Sequence, residues 1–127
     1  MKKTLLFFTT IFILIFTAKA TIHIISVQND IFSPSSLTFN LGDTIKWVWS
    51  AGSHTTTSLT IPSGVASWDK SINSSSTSFT YVPTVTGTYN YQCNFHFSMG
   101  MVGNFTVNNG CAAVTVSIST ASNTTFC

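Results

Sequence analysis

Residues 87–101 read Gly-Thr-Tyr-Asn-Tyr-Gln-Cys-Asn-Phe-His-Phe-Ser-Met-Gly-Met. In the first half of this stretch Tyr89, Tyr91 and Cys93 alternate with polar residues, which is the two-residue period of a β-strand. Because successive side chains of a strand point to opposite faces of a sheet, these three side chains are predicted to face a core. The strand therefore presents a thiol at its inward-facing end, where it is shielded from water.

The chain beyond residue 20 has the same short-strand character. Runs rich in Ile, Val, Thr and aromatic residues alternate with turn residues, and no stretch shows a sustained helical period. In one run Ile45, Trp47 and Trp49 are predicted to share an inward face. The predicted strands cover residues 21–27, 36–40, 44–50, 77–81, 87–92 and 101–107, with a looser segment over 55–72. This pattern predicts an all-β fold, a two-sheet Greek-key β-sandwich of about seven to eight strands.

The second half of the opening stretch is rich in side chains that bind metals. It contains the thiol of Cys93, the imidazole of His96 and the thioethers of Met99 and Met101. A second imidazole, His54, lies in a loop of small polar residues after a predicted strand. Soft thiolate and thioether ligands with imidazoles favour copper over calcium, magnesium or manganese, and a trigonal His2Cys set with a long Met contact is the blue-copper electron-transfer geometry. These residues therefore predict a copper site.

The pattern Tyr-x-Cys-x2-His-x4-Met resembles the ligand loop of the cupredoxins, the blue (type 1) copper proteins, with the Met spacing of plastocyanin and pseudoazurin. Further segments resemble cupredoxins in family order, from about residue 21 to residue 107. They are Phe32-Ser33-Pro34, Leu37-Thr38-Phe39, Gly42-Asp43-Thr44-Ile45-Lys46-Trp47, His54-Thr55, Gly87-Thr88-Tyr89-Asn90-Tyr91 and Gly100-Met101-Val102-Gly103. This ordered series is much more specific than a bare Cys-x2-His pair, which also occurs in zinc sites.

The resemblance implies one type 1 copper with the metal ligands His54, Cys93, His96 and Met101. Met101 lies eight residues after Cys93, as the axial ligand does in plastocyanin and pseudoazurin, whereas Met99 lies six residues after it, as in amicyanin. Met101 is therefore the expected axial ligand. Met99 is then expected to pack beside the site as a gap-filling hydrophobic residue.

Departures from the family pattern affect both ligand loops. Ser53 precedes His54 where the family often carries Asn, whose side chain fixes the two ligand loops, so a shorter and weaker tie is expected. Phe95 stands where a Pro is frequent, so the turn between Cys93 and His96 is expected to be less preorganised.

The first 20 residues are typical of a secretory signal peptide. Lys2 and Lys3 precede an apolar run over residues 5–16, and Ala18-Lys19-Ala20 is a small-x-small cleavage site. Cleavage after Ala20 is predicted, so the protein is expected to be exported to a periplasm, the medium or the cell surface, with no membrane span after cleavage. The alternative is an uncleaved membrane anchor.

Removal of these residues leaves two lysines and three aspartates, a net charge of −1, where the whole chain has +2. No basic patch remains to neutralise phosphates, so nucleic acid is not an expected partner. Steering of a protein partner by charge is also weak.

The cupredoxin resemblance implies that a redox partner protein docks on an apolar rim near His96, formed by Phe95, Phe97 and Met99. The alternative is that the two Phe side chains fill the core. The protein is expected to be a monomer.

Cys93 is the only cysteine inside the predicted copper-binding domain, residues 21–107. In an oxidising compartment, metal ligation explains the presence of a thiol without a partner. The alternatives are a buried structural thiol and a disulfide between Cys93 and Cys111.

The tail, residues 108–127, opens with the breaker Asn-Asn-Gly and is rich in Ser, Thr and Asn. It is interpreted as a disordered polar tail, as a loop closed by a Cys111–Cys127 disulfide, or as the start of a truncated second domain. In the last case it resembles the opening strand of immunoglobulin-like repeats. The strand is predicted from the alternation of Val114, Val116 and Ile118.

The leading hypothesis is an exported blue-copper electron-transfer protein that cycles between Cu(II) and Cu(I) and is not an enzyme. A multicopper enzyme needs a second copper, and the three histidines, His23, His54 and His96, leave no ligands for one. His23 has no ligand-like neighbour and is interpreted as structural. The alternative is a non-redox copper-binding or structural cupredoxin-like module of a larger secreted or surface protein.

Overall fold

Nine β-strands follow one another between residues 19 and 110 of the computed structural model, which describes residues 19–110, 114–116 and 124–126. They are β1 (Ile22–Gln28), β2 (Ile31–Ser33), β3 (Ser36–Asn40), β4 (Thr44–Trp49), β5 (His54–Ser58), β6 (Asp69–Ile72), β7 (Ser78–Tyr81), β8 (Gly87–Gln92) and β9 (Val102–Asn108). One short 3-10 helix, Phe97–Met99, lies between β8 and β9. Beyond them, β10 (Val114–Val116) and β11 (Thr124–Phe126) pair with each other in antiparallel fashion.

The nine strands form two sheets, one with the order β2-β1-β4-β7 and the other with the order β3-β9-β8-β5-β6. The pairs β1/β4 and β3/β9 are parallel and the other pairs are antiparallel. Parallel neighbours cannot be joined by a tight hairpin, and here the chain passes to the opposite sheet between them. The predicted all-β, two-sheet sandwich is confirmed.

The core lies between the two sheets and is built from the alternating positions that the sequence indicated. Ile45 and Trp47 on β4, and Tyr89 and Tyr91 on β8, are fully buried, as is Cys93 directly after β8. Aromatic rings fill the centre of this layer, including Trp47, Trp68, Tyr89, Tyr91 and Phe105. Burial of each such side chain contributes about 1.5–3 kcal/mol relative to its exposure to water.

The predicted looser segment over residues 55–72 contains two regular strands, β5 and β6. β5 reads His-Thr-Thr-Thr-Ser and has no apolar alternation, yet Thr55 and Thr56 are buried. Trp68 Nε1 donates a hydrogen bond to Thr56 Oγ1 at 3.2 Å. A buried hydroxyl that is hydrogen-bonded avoids most of the cost of its burial, so a polar strand is stable here.

The side chain of His23 contacts Phe39, near the end of β3, and Asp43, directly before β4. Its Nε2 lies 3.0 Å from Asp43 Oδ2, and its ring stacks on Phe39 with centroids 4.7 Å apart. The backbone N–H of Thr21 donates to Asp43 Oδ1 at 2.8 Å. These contacts support the structural interpretation of His23.

We expect Asp43→Asn to lower the melting temperature at neutral pH. The hydrogen bond with His23, followed by that from the Thr21 N–H, lowers the pKa of Asp43 below its usual value of 3.8. A carboxyl with a depressed folded-state pKa stabilises the fold above its unfolded-state pKa, and this contribution is lost as the pH falls through the folded-state value. Thermal melts of the two proteins should therefore differ at neutral pH and converge in acid. An equal difference at both pH values would contradict this assignment.

Several predictions from the ends of the chain lie outside the described residues. They are the signal sequence up to residue 18, Ile118 of the predicted tail strand, and the pairing of Cys111 and Cys127. β10 coincides with the first part of that predicted strand. Within the described ranges, no helix is long and apolar enough to cross a membrane.

Candidate metal centre

The predicted ligands converge because three neighbouring strands of the second sheet have their ends on the same side. His54 is the first residue of β5, Cys93 follows β8 directly, and Met101 immediately precedes β9. His96 lies in the loop that joins β8 to β9. β8 is antiparallel to both β5 and β9, so the chain that leaves β8 runs towards the beginning of β5 and lies beside the beginning of β9.

Two imidazoles and the thiol form a compact donor set. His54 Nδ1 lies 3.1 Å from His96 Nδ1, and Cys93 Sγ lies 3.8 Å from the former and 3.4 Å from the latter. With metal–nitrogen bonds of about 2.0 Å and a metal–sulfur bond of about 2.3 Å, as in zinc sites, a nitrogen and a sulfur on a trigonal ion lie about 3.7 Å apart. The observed spacings fit one ion held by all three residues.

The donor set is protected from water on one side and open on the other. Cys93 and His54 are buried, as is the nearby Met101, whereas the side chain of His96 is 25 % exposed. Burial, followed by the positive charge of a protonated His96, lowers the pKa of His54 below its usual value. A neutral imidazole is the form that binds a metal, so this environment favours ligation by His54.

Thr55 connects the two ligand loops. Its backbone N–H points to Cys93 Sγ at 3.4 Å, and its Oγ1 accepts a hydrogen bond from the Asn94 N–H at 2.8 Å. The sequence predicted a weak link between the two loops through Ser53. In the structure Thr55, on the other side of His54, makes this link. This role of Thr55 was not predicted from the sequence, although the adjacent pair His54-Thr55 was part of the family resemblance.

The loop between β8 and β9 is braced by its own backbone. The N–H of Cys93 donates to the Met101 carbonyl at 3.0 Å, and the N–H of Met101 donates to the His96 carbonyl at 3.2 Å. Gly100 ends the short helix with a φ of 88°, a left-handed conformation that glycine adopts without steric cost. These bonds hold the turn around Phe95 in place, so the absence of a Pro does not leave the loop open.

The two methionines of the loop differ sharply in environment. Met101 is 1 % exposed, whereas Met99 is 61 % exposed. The expectation that Met99 packs beside the site is wrong, because the 3-10 helix turns its side chain towards solvent. Phe95 and Phe97 are also exposed, so the alternative in which these aromatic side chains fill the core is wrong as well. The three side chains form an apolar rim beside His96.

The backbone of Gly52 lies close against the ring of His54. It has a φ of 78°, and a Cβ at this position would collide with His54 Nε2. The same Cβ would lie 3.1 Å from Asn29 Oδ1, in the turn between β1 and β2. The loop before β5 therefore packs tightly against this turn, which brings the first sheet to the edge of the site.

The next residue of that turn, Asp30, also reaches the site. Its Oδ1 lies 3.6 Å from His96 Nδ1. The sequence offered no indication of this contact, since the two residues are far apart in the chain and the strand β2 was not predicted.

The chain matches a known protein family over most of its length. The family model described as copper binding proteins, plastocyanin/azurin family, matches residues 20–108. The chain belongs to this family. The predicted cupredoxin identity and the predicted cofactor, copper, are confirmed, and the three donor atoms described above supply the matching metal group.

A curated relative and two solved structures show how close the similarity is. The pseudoazurin of Paracoccus pantotrophus is 32 % identical over 93 residues, which are 69 % of this chain and 62 % of the relative. The match thus spans less than two thirds of that relative. The pseudoazurin structure from Hyphomicrobium denitrificans is 28 % identical, with a TM-score of 0.62, covering 68 % of this chain and 75 % of its own. The oxidised plastocyanin of Dryopteris crassirhizoma is 23 % identical, with a TM-score of 0.58, and the match covers 68 % of this chain and 100 % of the plastocyanin. At this identity the match is evidence for a shared fold only.

Proposed function

We propose that this protein is an exported blue-copper electron carrier with one type 1 copper at His54, Cys93, His96 and Met101. The observation that carries the proposal is the convergence of His54 Nδ1, His96 Nδ1 and Cys93 Sγ, all within 4.8 Å of one another, in a member of a copper-binding family. The burial of Met101 beside this set supports it, rather than Met99, as the axial ligand.

Copper, when bound, supplies a one-electron couple between Cu(II) and Cu(I). The contribution of the chain is to hold the donors in one arrangement during electron transfer. The Thr55 N–H directed at Cys93 Sγ stabilises negative charge on the sulfur, and hydrogen bonding of this kind tunes a copper–thiolate site. The buried side of the site excludes water. The low dielectric constant around the metal also influences its reduction potential.

His96 is the proposed route for electrons between the site and the surface. Its ring is the more exposed of the two imidazoles, and its neighbours in the sequence, Phe95, Phe97 and Met99, expose apolar side chains. A redox partner protein is proposed to dock on this rim. Because few charged residues are present in the domain, apolar contact rather than charge steering brings the partners together.

Export is proposed from residues 1–20, whose sequence is typical of a signal peptide. The proposed copper-binding domain covers residues 21–107. β9 ends at Asn108, so the last strand of the sandwich supports a boundary near this position. No chemical transformation of a substrate is proposed for the protein, because the site described here can hold one metal ion and the function needs only electron exchange.

Cyclic voltammetry of the copper-loaded protein tests this function. We expect a reversible one-electron wave, because the braced loop and the Thr55 tie keep the donors in place in both oxidation states. A protein that retains copper but shows no reversible wave would instead support the non-redox copper-binding or structural module.

A further inference from the structure

Asp30 is the acidic residue that lies closest to the proposed copper ligands. It belongs to the two-residue turn between β1 and β2, and its Oδ1 is 3.6 Å from His96 Nδ1. The three donor residues of the compact set come from the second sheet, whereas this carboxylate comes from the first. Asp30 therefore reaches the site from the opposite sheet.

The carboxylate faces the metal-binding side of His96. His96 Nδ1 is also the atom that lies 3.4 Å from Cys93 Sγ and 3.1 Å from His54 Nδ1. A carboxylate that merely oriented the ring would be expected at the other nitrogen, Nε2, on the outer edge of the imidazole. Oδ1 of Asp30 instead lies near the space that the three donor atoms share.

The position of the turn is fixed by the backbone. The Val27 carbonyl, near the end of β1, accepts hydrogen bonds from the Ser50 N–H at 2.9 Å and the Ala51 N–H at 3.4 Å. These bonds attach β1 to the loop that leads to His54. Asp30 itself has a φ of 59°, a left-handed conformation that Asp and Asn adopt more readily than most residues. The backbone of the turn is thus held beside the site, and the Asp30 carboxylate extends from it to His96.

No lysine neutralises this carboxylate within the part of the chain that the structure describes with side chains. The ion-pair partner of Asp30 there is His96. A carboxylate oxygen is a hard donor that suits divalent ions better than the soft Cu(I) ion. Its attraction also scales with the charge of the metal, so it is stronger for Cu(II) than for Cu(I).

We propose that Asp30 acts on the copper centre as a fixed negative charge that selectively stabilises the divalent state and lowers the reduction potential. This proposal rests on the proposed function, because it assumes that the metal lies among His54, Cys93 and His96. The side chain of Asp30 is 53 % exposed, so solvent screens part of the interaction. We therefore expect at least a threefold change in the preference for Cu(II) over Cu(I), which corresponds to about 28 mV at about 59 mV per tenfold change for one electron.

The test compares Asp30→Asn with Asp69→Asn. Asn is nearly isosteric with Asp and tolerates the left-handed φ, so Asp30→Asn removes the charge while keeping the turn. Asp69 lies on β6 opposite Thr57, away from His54, and Thr57 Oγ1 donates to its carboxylate at 2.7 Å. Asp69→Asn thus makes the same change in net charge without removing a group from the metal site.

Two measurements are made on each protein: the reduction potential of the copper form and the affinity of the metal-free form for Zn(II). For Asp30→Asn we expect a higher potential and at least a threefold weaker Zn(II) affinity. For Asp69→Asn we expect the values of the unsubstituted protein. Equal values for Asp30→Asn and the unsubstituted protein, or equal shifts in both variants, would overturn the proposal.

The Zn(II) measurement separates this proposal from the electron-transfer function. Zn(II) has no redox chemistry and prefers similar nitrogen and sulfur ligands, so its affinity reports the carboxylate whether or not the protein carries electrons. A failed electron-transfer function would appear as the absence of a reversible wave in the unsubstituted protein. A failed role for Asp30 would appear as a normal wave in that protein with no difference between the two variants.

Discussion

Substitution of Cys93 by Ser is expected to abolish the intense visible absorption of the copper protein and to weaken its Cu(II) affinity by roughly a hundredfold or more. Loss of a residue that only supports a ligand typically costs about 10–100-fold in metal affinity, so the loss of a direct ligand should cost at least as much. The absorption arises from the thiolate, which Ser cannot supply. Absorption spectroscopy and competition with a chelator of known affinity measure the two effects.

A fold control accompanies this experiment. Cys93 is fully buried and follows β8, but Ser has nearly the same size, so the metal-free variant should keep the circular dichroism spectrum of the unsubstituted protein. Both proteins must first be stripped of zinc, whose ligand preferences overlap with those of copper. A folded Cys93→Ser protein that binds Cu(II) as tightly as the unsubstituted protein, with the same colour, would show that the thiol is not a ligand.

Replacement of Met101 by Leu is expected to raise the reduction potential while leaving copper bound and the protein blue. A weak axial thioether tunes such a site rather than holding the metal, and its removal should favour the reduced state. We expect at least a tenfold change in the Cu(II)/Cu(I) affinity ratio, equivalent to about 59 mV for one electron. Voltammetry of the variant measures this shift directly.

Met99→Leu is the matched control for this substitution. Met99 is in the same loop, but its side chain is 61 % exposed where that of Met101 is 1 % exposed. The same chemical change at position 99 should therefore leave the potential almost unaltered. If Met99→Leu shifted the potential and Met101→Leu did not, the assignment of the axial ligand would have to be reversed.

The alternation of apolar residues was sufficient to predict the strands that build the core. Tyr89, Tyr91 and Cys93 repeat every second residue, and each is fully buried. β5 could not be predicted in this way, because Thr55 and Thr56 are buried by hydrogen bonding and packing rather than by hydrophobicity. The site was recognisable from the spacing of its soft ligands, which are close together in the sequence apart from His54.

The parts of the site that depend on contacts between distant segments were not predictable. Thr55 contacts the Cys93 loop because β5 and β8 are neighbours in one sheet, and Asp30 reaches His96 because the β1–β2 turn packs on the loop before β5. The exposure of Met99 depends on the short helix in an irregular loop, where a two-residue or helical period gives no guidance. Each of these features required the three-dimensional structure.

Titration of the zinc-free protein with Cu(II), followed by absorption and electron paramagnetic resonance spectroscopy, tests the central claim most directly. His54, Cys93 and His96 offer one compact donor set with a single thiolate. We therefore expect an intense blue band that rises to a plateau at one copper per chain, with the resonance spectrum of a copper–thiolate site. A colourless product at saturation, or copper bound without a thiolate signature, would contradict the proposed blue-copper centre.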